Sequence, residues 1–528
     1  MKRLPTTLAL ALAVTLAAGA AVPARAQTLR WTSQGDLLTL DPHAQNEGLN
    51  NAMNGQVYEY LVARDKQLNL VPALATEWRQ TGPLQWRMKL RPNVKFHDGT
   101  PFGADDVVFS FRRAKEPTSQ IAVYAKATGE VRKVDDLTVE FNLAQVNPIF
   151  LQHVNTVFIM SRAWSERHRV TRPLDFKNKE ESFASYNANG TGPFMLVKRE
   201  PDVKTSYRRN PNWWGKPEGN VQEVVYTPIK QDATRLAALI SGEIDFVLDP
   251  PLQDLERLKR AQNVAVLEGP EVRTIFFAMD TFRDELLYSS VRGRNPLKDV
   301  RVRQALYQAI NIDAIKARVM RGQSIVTGTL FPPQVNGYAA DQDVRLPYDQ
   351  ARARALLAEA GYPQGFEITL DCPNNRYIND EQICQAVAAM WAAVGVKTNL
   401  NAMPLQTFFP KIQKDDTSLY LLGWGVPTLD ALYSLQSLVM SRTGRPGDGI
   451  WNYGRYSNPR MDALIEQIKN EGDKEKRDAL IRDALVIYRE DVPHIPLHHQ
   501  MIPWATRTGF TIPHMANNQP MFRWMKVN

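Results

Sequence analysis

The chain has 528 residues, which is too many for one hydrophobic core and predicts two or three domains. Its formal charge of +8 is interspersed without a Lys/Arg-rich run, which argues against a nucleic-acid-binding protein. The two cysteines lie too far apart in sequence for a zinc site, so we predict neither a metal site nor a cofactor.

The first 26 residues have the pattern of a secretory signal peptide. Lys2 and Arg3 precede an apolar stretch over 8–22, and residues 24–26 (Ala-Arg-Ala) form an A-x-A cleavage site. No cysteine follows the cut, so we expect no lipid anchor, and no later apolar run reaches the roughly 20 residues of a membrane span. Removal of this leader lowers the formal charge to +5. We therefore expect an exported, soluble protein.

Strands and helices alternate through the amino-terminal half. Residues 85–90 alternate as a half-buried strand, and Asp105 is predicted to cap the next helix. Further along, 221–229 is predicted to be a strand, Asp232 to cap a helix and 244–248 to be the following strand. This order predicts two parallel strands joined by a helical crossover.

The same alternation restarts in the carboxyl-terminal half. Asp299 and Asp349 are each predicted to cap an amphipathic helix. A strand over 366–372, a helix over 381–394 and a strand over 396–403 then predict a second α/β unit.

The next stretch, LYLLGWGVPTLDALY at 419–433, begins as a strand buried on both faces. It breaks at Gly423-Trp424-Gly425, where glycines allow close backbone approach. Ligands bind at the carboxyl edge of open α/β sheets, so this turn is predicted to form one wall of a ligand cleft. The alternative is a strand followed by an ordinary surface loop.

Many segments, in order, resemble the bacterial family-5 extracellular solute-binding proteins, the peptide- and nickel-type receptors of ABC importers. They include VPALATEW, VKFHDGTPFGADDVVFSFRR, GTGPFML, RRNPNWWG, SGEIDF, DVRVRQALYQAINID, ARALLAEAGYPQGFEI, YSNPRMDALI and VPHIPL. The resemblance covers nearly the whole mature chain.

The resemblance implies an α/β clamshell of two lobes, of the type II periplasmic-binding-protein class, with an extra α+β domain inserted in lobe one. Chain crossings near 277–280 and 495–503 would form the hinge. The implied domains are the leader 1–26, lobe one (27–62, 207–279 and 496–528), the inserted domain 63–206 and lobe two (280–495).

The same resemblance implies a periplasmic receptor that closes on a small-molecule or short-peptide ligand and delivers it to an inner-membrane permease and ATPase. We expect a monomer without catalytic activity. Two alternatives remain open. A secreted hydrolase would need a nucleophile, a base and an oxyanion hole, and a periplasmic chaperone would expose a broad apolar patch.

Arg376 is the predicted carboxylate grip, because it follows a strand at the cleft edge and matches an arginine that holds the ligand carboxylate in peptide receptors of the family. The alternative is a surface pair with Asp380. Dipeptide-type receptors carry an amine-binding aspartate where this chain has Pro427. Asp430 either replaces that acid or caps the next helix.

The remaining candidate ligand contacts come from both lobes. Trp424 is expected to stack on a ligand. The other candidates are Gly425, Tyr377, Tyr433, Trp451 and Asn452 in lobe two, and Gln45 and Asn46 in lobe one. The sequence leaves open whether Cys372 and Cys384 form a disulfide, which would be structural.

Overall fold

The computed structural model describes residues 27–445 and 447–528, so the predicted leader lies outside the described residues. The strands are β1 (Thr28–Thr32), β2 (Val62–Arg64), β3 (Leu70–Pro72), β4 (Ala75–Gly82), β5 (Gln85–Leu90), β6 (Glu130–Asp135), β7 (Thr138–Asn142), β8 (Phe194–Glu200), β9 (Lys204–Arg209), β10 (Glu223–Tyr226), β11 (Phe246–Leu248), β12 (Val264–Met279), β13 (Ser324–Val326), β14 (Phe366–Pro373), β15 (Val396–Met403), β16 (Leu419–Gly425), β17 (His494–Arg507), β18 (Phe510–Thr511) and β19 (Lys526–Val527).

Helices cover much of the chain between the strands. They are α1 (Gly48–Asn54), α2 (Ala104–Ala114), α3 (Ala122–Ala127), α4 (Phe150–Val154), α5 (Arg162–Arg167), α6 (Phe183–Tyr186), α7 (Asp232–Ser241), α8 (Leu255–Arg260), α9 (Val300–Gln308), α10 (Ile312–Ala314), α11 (Gln350–Glu359), α12 (Asp380–Ala392), α13 (Leu405–Gln413), α14 (Ala431–Ser434), α15 (Pro459–Asn470) and α16 (Lys474–Asp491). In the described part of the chain, none of these helices has the length and apolarity to cross a membrane.

Two long antiparallel strands, β12 and β17, hold the two halves of the molecule together. They lie in the middle of one mixed sheet with the order β15-β14-β16-β12-β17-β11-β1-β10-β9-β8, and β13 also pairs with β17. The strands on one side of this pair come from the predicted lobe two, and those on the other side come from the amino-terminal half. Both predicted hinge crossings fall at or beside these two strands.

The parallel arrangement predicted around α7 differs from the structure in one respect. β10 and β11 do run parallel, but each pairs with β1, which lies between them. The two predicted parallel strands are therefore present, and β1, the first strand of the chain, lies between them. At the other end of the sheet, β14 pairs in parallel with both β15 and β16, as a second α/β unit requires.

A separate four-stranded antiparallel sheet, β4-β5-β7-β6, lies within the range assigned to the inserted domain. Its core is aromatic, with Phe141 packed edge-on against Phe111 and Phe150 at centroid distances of 5.0 and 5.1 Å. β8 was also placed in that domain, but it pairs with β9 at the edge of the large sheet. Strand pairing therefore assigns β8 to the large sheet, and the domain bounds stay a prediction.

Two of the predicted helix caps are confirmed, and two are wrong. The side chains of Asp299 and Asp349 accept hydrogen bonds from backbone N–H groups in the first turns of α9 and α11. α2 begins one residue before Asp105, and Gly103 occupies the cap position while Asp106 bonds back to its N–H group. Asp232 is the first residue of α7 rather than its cap.

Candidate functional site

The predicted cleft turn is the end of β16, which is buried between β12 and β14. Alternate residues of a strand face opposite sides, so Trp424 points away from Gly423 and Gly425. The indole is 5% exposed, donates from Nε1 to Ser434 Oγ at 3.1 Å and stacks on Tyr433 at 4.9 Å. Trp424 therefore supports the turn from inside lobe two, and its stacking on a ligand stays a prediction.

The opposite face of the turn is built around the two glycines. A Cβ atom on Gly423 would lie 2.5 Å from Cε1 of Tyr377, and a Cβ on Gly425 would lie 3.5 Å from Nη2 of Arg273. The Tyr377 hydroxyl donates to the Gly423 carbonyl at 3.2 Å. The glycines thus let Tyr377 and Arg273 lie directly against the backbone of the turn.

Arg376 lies on the loop that precedes α12, and its side chain is half-buried. Its guanidinium carbon is 5.3 Å from the centroid of the Tyr377 ring. The predicted alternative partner, Asp380, instead accepts from the backbone N–H groups of Arg376 and Tyr377, both at 2.9 Å. Among the described residues, no acidic oxygen lies within 4.0 Å of the Arg376 guanidinium, so this charge has no counterion.

A disulfide joins Cys372 to Cys384, with the two Cα atoms 6.6 Å apart, which answers the question that the sequence left open. Cys372 is near the end of β14 and Cys384 is in α12. The bond closes the loop that carries Arg376 and Tyr377, and it therefore fixes both ends of this part of the cleft.

Arg273 is the site residue that sequence reasoning missed. It lies in β12 beside an irregularity in the pairing with β17, and its Nε is 3.1 Å from both carboxylate oxygens of Glu271. Gln500 donates to the same carboxylate at 2.6 Å, and the Arg273 guanidinium carbon is 6.0 Å from the Tyr377 centroid. Two guanidinium groups thus lie near the Tyr377 ring. The signal in the sequence that could have identified Arg273 was the charged pair of Glu271 and Arg273 within a mostly apolar strand.

Asp249, directly after β11, is a carboxylate with a perturbed pKa. Burial, together with the nearby Glu271 carboxylate, raises the pKa of Asp249 to about 7. Its Oδ1 accepts from Asn518 at 3.2 Å, and its backbone is left-handed with φ of 53°. This acid is therefore partly protonated near neutral pH.

A partly open cavity of about 150 Å³ lies where lobe one, the inserted domain and the tip of the cleft turn meet. Asn46 is the predicted ligand contact that lines it, and Pro427 and Leu429 form its lobe-two wall. The aromatic rings of Tyr60 and Phe158 stack at 4.1 Å beside it. We call this space the junction cavity.

Two direct contacts join the turn to the inserted domain. Arg64 donates from Nη2 to the carbonyl of Thr428 at 3.2 Å, and the hydroxyls of Tyr124 and Tyr433 are 2.8 Å apart. Leu429, at the tip, is held in a left-handed conformation with φ of 53°. Tyr433 therefore contributes to the contact between the lobes, while its ring is stacked on Trp424.

Three other candidates have internal roles. Asp430 caps α14 and forms a buried ion pair with Arg477, as the capping alternative predicted. Asn452 is 2% exposed and bonds to the backbone of Met440 and Tyr456. Trp451 packs edge-on against Trp424 at 5.7 Å. Gln45 is partly exposed at the start of the α1 loop.

Comparison with known proteins identifies the type of site. The family model described as "Bacterial extracellular solute-binding proteins, family 5 Middle" matches residues 69–445. The chain belongs to family 5 of the bacterial extracellular solute-binding proteins. Heme-binding protein A of Haemophilus influenzae is 30% identical over 480 residues, covering 85% of this chain and 83% of that protein. Glutathione-binding protein GsiB of Escherichia coli K12 is 26% identical, covering 90% of each.

Solved structures show the same fold. A dipeptide-binding protein from Pseudoalteromonas sp. SM9913 in complex with Met-Leu superposes with a TM-score of 0.79 at 22% identity, covering 95% of this chain and all of that one. The substrate-binding protein CtaP of Listeria monocytogenes gives a TM-score of 0.81 at 21% identity, covering 95% and 99%.

Family-5 members are periplasmic substrate-binding proteins of ABC importers, and this chain is one of them. The family consists of binding proteins and not of enzymes, which favours the receptor over the hydrolase and the chaperone. In the part of the chain that the structure describes, no group of three or more His, Cys, Asp or Glu side chains is arranged to hold a metal ion.

Proposed function

We propose that this family-5 receptor captures a small peptide-like or other carboxylate-bearing solute between its lobes, and that Arg376 binds the carboxylate. The observation that carries the proposal is the uncompensated guanidinium of Arg376 on a disulfide-closed loop at the cleft edge. A carboxylate ligand would supply its missing counterion through two parallel hydrogen bonds.

The chemistry of the surrounding residues supports this assignment. Tyr377 is held against the turn by its hydroxyl, and the Arg273 guanidinium carbon lies 6.0 Å from the centroid of its ring. Heme, glutathione and dipeptides, the ligands named for the relatives and the solved structure, all carry carboxylate groups. Of the predicted ligand contacts, Arg376, Tyr377, Gly425 and Asn46 remain in the proposed set, with Gln45 beside them.

A free amine on the ligand has no partner at the place where dipeptide-type receptors have one. Pro427 occupies that position, and Asp430 is fully buried with its oxygens bound internally. We therefore propose a ligand whose recognition does not depend on a free α-amino group, bound by a monomeric receptor that closes on it and performs no catalysis.

The test begins with the solute that copurifies with the mature protein, identified by mass spectrometry after denaturation. Its affinity is then measured by calorimetry for the wild type, Arg376→Gln and Arg376→Lys. We expect Arg376→Gln to weaken binding by about 30-fold or more, the factor for losing about 2 kcal/mol of a buried charged contact.

Arg79→Gln is the matched control, because Arg79 is exposed on β4 of the small sheet and its loss removes the same charge. Unchanged affinity in Arg376→Gln would remove Arg376 from the site. Chemical conversion of the solute by the protein would show that it is an enzyme.

A further inference from the structure

Two half-buried arginines, Arg64 and Arg523, line the junction cavity. Among the described residues, neither has an acidic oxygen within 4.0 Å. Within the same residues, Arg64 donates to neutral oxygens: Asn155 Oδ1 at 2.9 Å, the Leu68 carbonyl at 2.7 Å and the Thr428 carbonyl at 3.2 Å. The cavity lining therefore carries positive charge that the described residues do not neutralise by contact.

Arg523 is held by aromatic rings instead of by oxygens. Its guanidinium carbon lies 4.8 Å from the Trp524 centroid and 5.7 Å from the Trp213 centroid, and its Nε is buried without a hydrogen-bond partner. Burial lowers the pKa of Arg64 to about 10 and also lowers that of Arg523. Burial thus destabilises the charged forms of both side chains, and an anion bound in the cavity would stabilise them.

The acid that lines the same cavity, Glu59, is engaged with other groups. Its carboxylate accepts from Thr191 Oγ1 at 2.8 Å, from Trp213 Nε1 at 3.0 Å and from Trp214 Nε1 at 2.8 Å. Burial raises the pKa of Glu59, and the nearby charge of Arg523 acts in the opposite direction. Among the described residues, Glu59 forms no ion pair within 4.0 Å with either arginine, so it does not neutralise them by contact.

The size of the cavity limits what can bind. A protein cavity of about 150 Å³ accepts a group the size of benzene, so a carboxylate on a chain of two or three carbons fits. The stacked Tyr60 and Phe158 rings provide apolar walls for such a chain.

We propose that the junction cavity binds an acidic arm of the transported solute, a carboxylate on a short aliphatic chain, through Arg64 and Arg523. The proposal rests on the receptor function proposed above and makes the solute a compound with two acidic groups, one for Arg376 and one for this cavity. The inserted domain and the carboxyl-terminal segment then take part in ligand selection.

Met515 and Met521 line the cavity and supply a local readout. We would label the methionine methyl groups of the mature protein with ¹³C and titrate it with glutarate, following the methyl signals by NMR. Glutarate should shift the Met515 and Met521 signals saturably, while its uncharged diamide should leave them in place because it lacks the charge that the arginines bind.

Arg64→Gln and Arg523→Gln should each weaken glutarate binding by about tenfold or more, the factor for one charge-assisted hydrogen bond. Arg64→Lys keeps the charge and should retain most of the binding. Arg209→Gln is the matched control, because Arg209 is also half-buried and has no acidic oxygen within 4.0 Å among the described residues, but does not line this cavity. The methionine signals outside the cavity report whether each variant is folded.

The proposal is overturned if glutarate moves neither methyl signal of the wild type, or if both glutamine variants bind it as tightly as Arg209→Gln. Arg376→Gln separates this inference from the receptor function. It should weaken binding of the copurified solute while leaving the glutarate shifts intact. A copurified solute with a single acidic group, bound through Arg376, would retain the receptor function and overturn only the cavity proposal.

Discussion

Replacing Asp430 by alanine tests whether this carboxylate is structural or a ligand group. Its side chain is fully buried and that of Arg477 is 4% exposed. Arg477 donates to both carboxylate oxygens, Asn336 donates to Oδ2 at 2.8 Å and the Leu432 N–H group donates to Oδ1 at 3.0 Å. The substitution would leave Arg477 buried with one weak bond, to the Ile468 carbonyl at 3.3 Å.

The expected cost follows from these contacts. Removing one partner of a buried ion pair costs about 3–5 kcal/mol, and losing the cap of α14 adds about 1 kcal/mol. We therefore expect Asp430→Ala to lower the free energy of unfolding by about 4–6 kcal/mol, measured from urea unfolding followed by circular dichroism. Replacing the pair by Asp430→Leu with Arg477→Met should cost much less, because no charge is then left buried.

The refuting result is specific. If Asp430→Ala lowered the free energy of unfolding by less than about 1 kcal/mol while affinity for the copurified solute collapsed, the carboxylate would belong to the ligand site. The capping interpretation would then be wrong, and the argument against a ligand amine would fail with it.

Two further substitutions test the cleft. Gly423→Ala should destabilise the protein by about 1–3 kcal/mol, because its Cβ would overlap the Tyr377 ring. Gly425→Ala should change the free energy of unfolding by much less, because the atom nearest to its added Cβ is at an ordinary contact distance. Equal effects of the two substitutions in urea unfolding would contradict this view of the turn. Asp249→Asn should make the free energy of unfolding less dependent on pH. Because the pKa of Asp249 is raised in the folded state, the folded state holds a proton that the unfolded state has released. The wild-type free energy of unfolding therefore falls as the pH rises from about 4 to about 7. The variant should be more stable than the wild type at about pH 8 and equal to it below about pH 4. If the two proteins differed in free energy of unfolding by the same amount at both pH values, the raised pKa of Asp249 would be wrong.

The elements that local patterns define were predictable from the sequence. The apolar run of β16 and the aspartates that cap α9 and α11 act through neighbours a few residues away, so no tertiary information is needed. The predicted cap of α2 was wrong because Gly103, together with the side chain of Asp106, caps this helix instead of Asp105.

Features that depend on pairing between distant segments were not predictable. The period of a strand shows that Trp424 faces away from its neighbouring glycines, but only the folded chain shows that Trp424 packs on Tyr433 and that Gly423 lies against Tyr377. Arg273 contributes because a pairing irregularity and Tyr377, a hundred residues away, place it there.

The junction cavity shows the same limit most clearly. Its walls come from α1, the inserted domain, the turn after β16 and the carboxyl-terminal segment, and no motif links them in sequence. Arg64 and Arg523 come to line the same cavity only when the chain is folded.

The disulfide between Cys372 and Cys384 ties the maturation of the receptor to its compartment. The bond spans a sequence separation of 12, and closing a loop of that length lowers the entropy of the unfolded chain by the equivalent of about 3 kcal/mol. The cytosol keeps thiols reduced, whereas the periplasm oxidises them. We therefore expect the newly made precursor to lack the tether on its Arg376 loop and to acquire it only after export, so that the carboxylate-binding loop is assembled on the side of the membrane where the solute is captured.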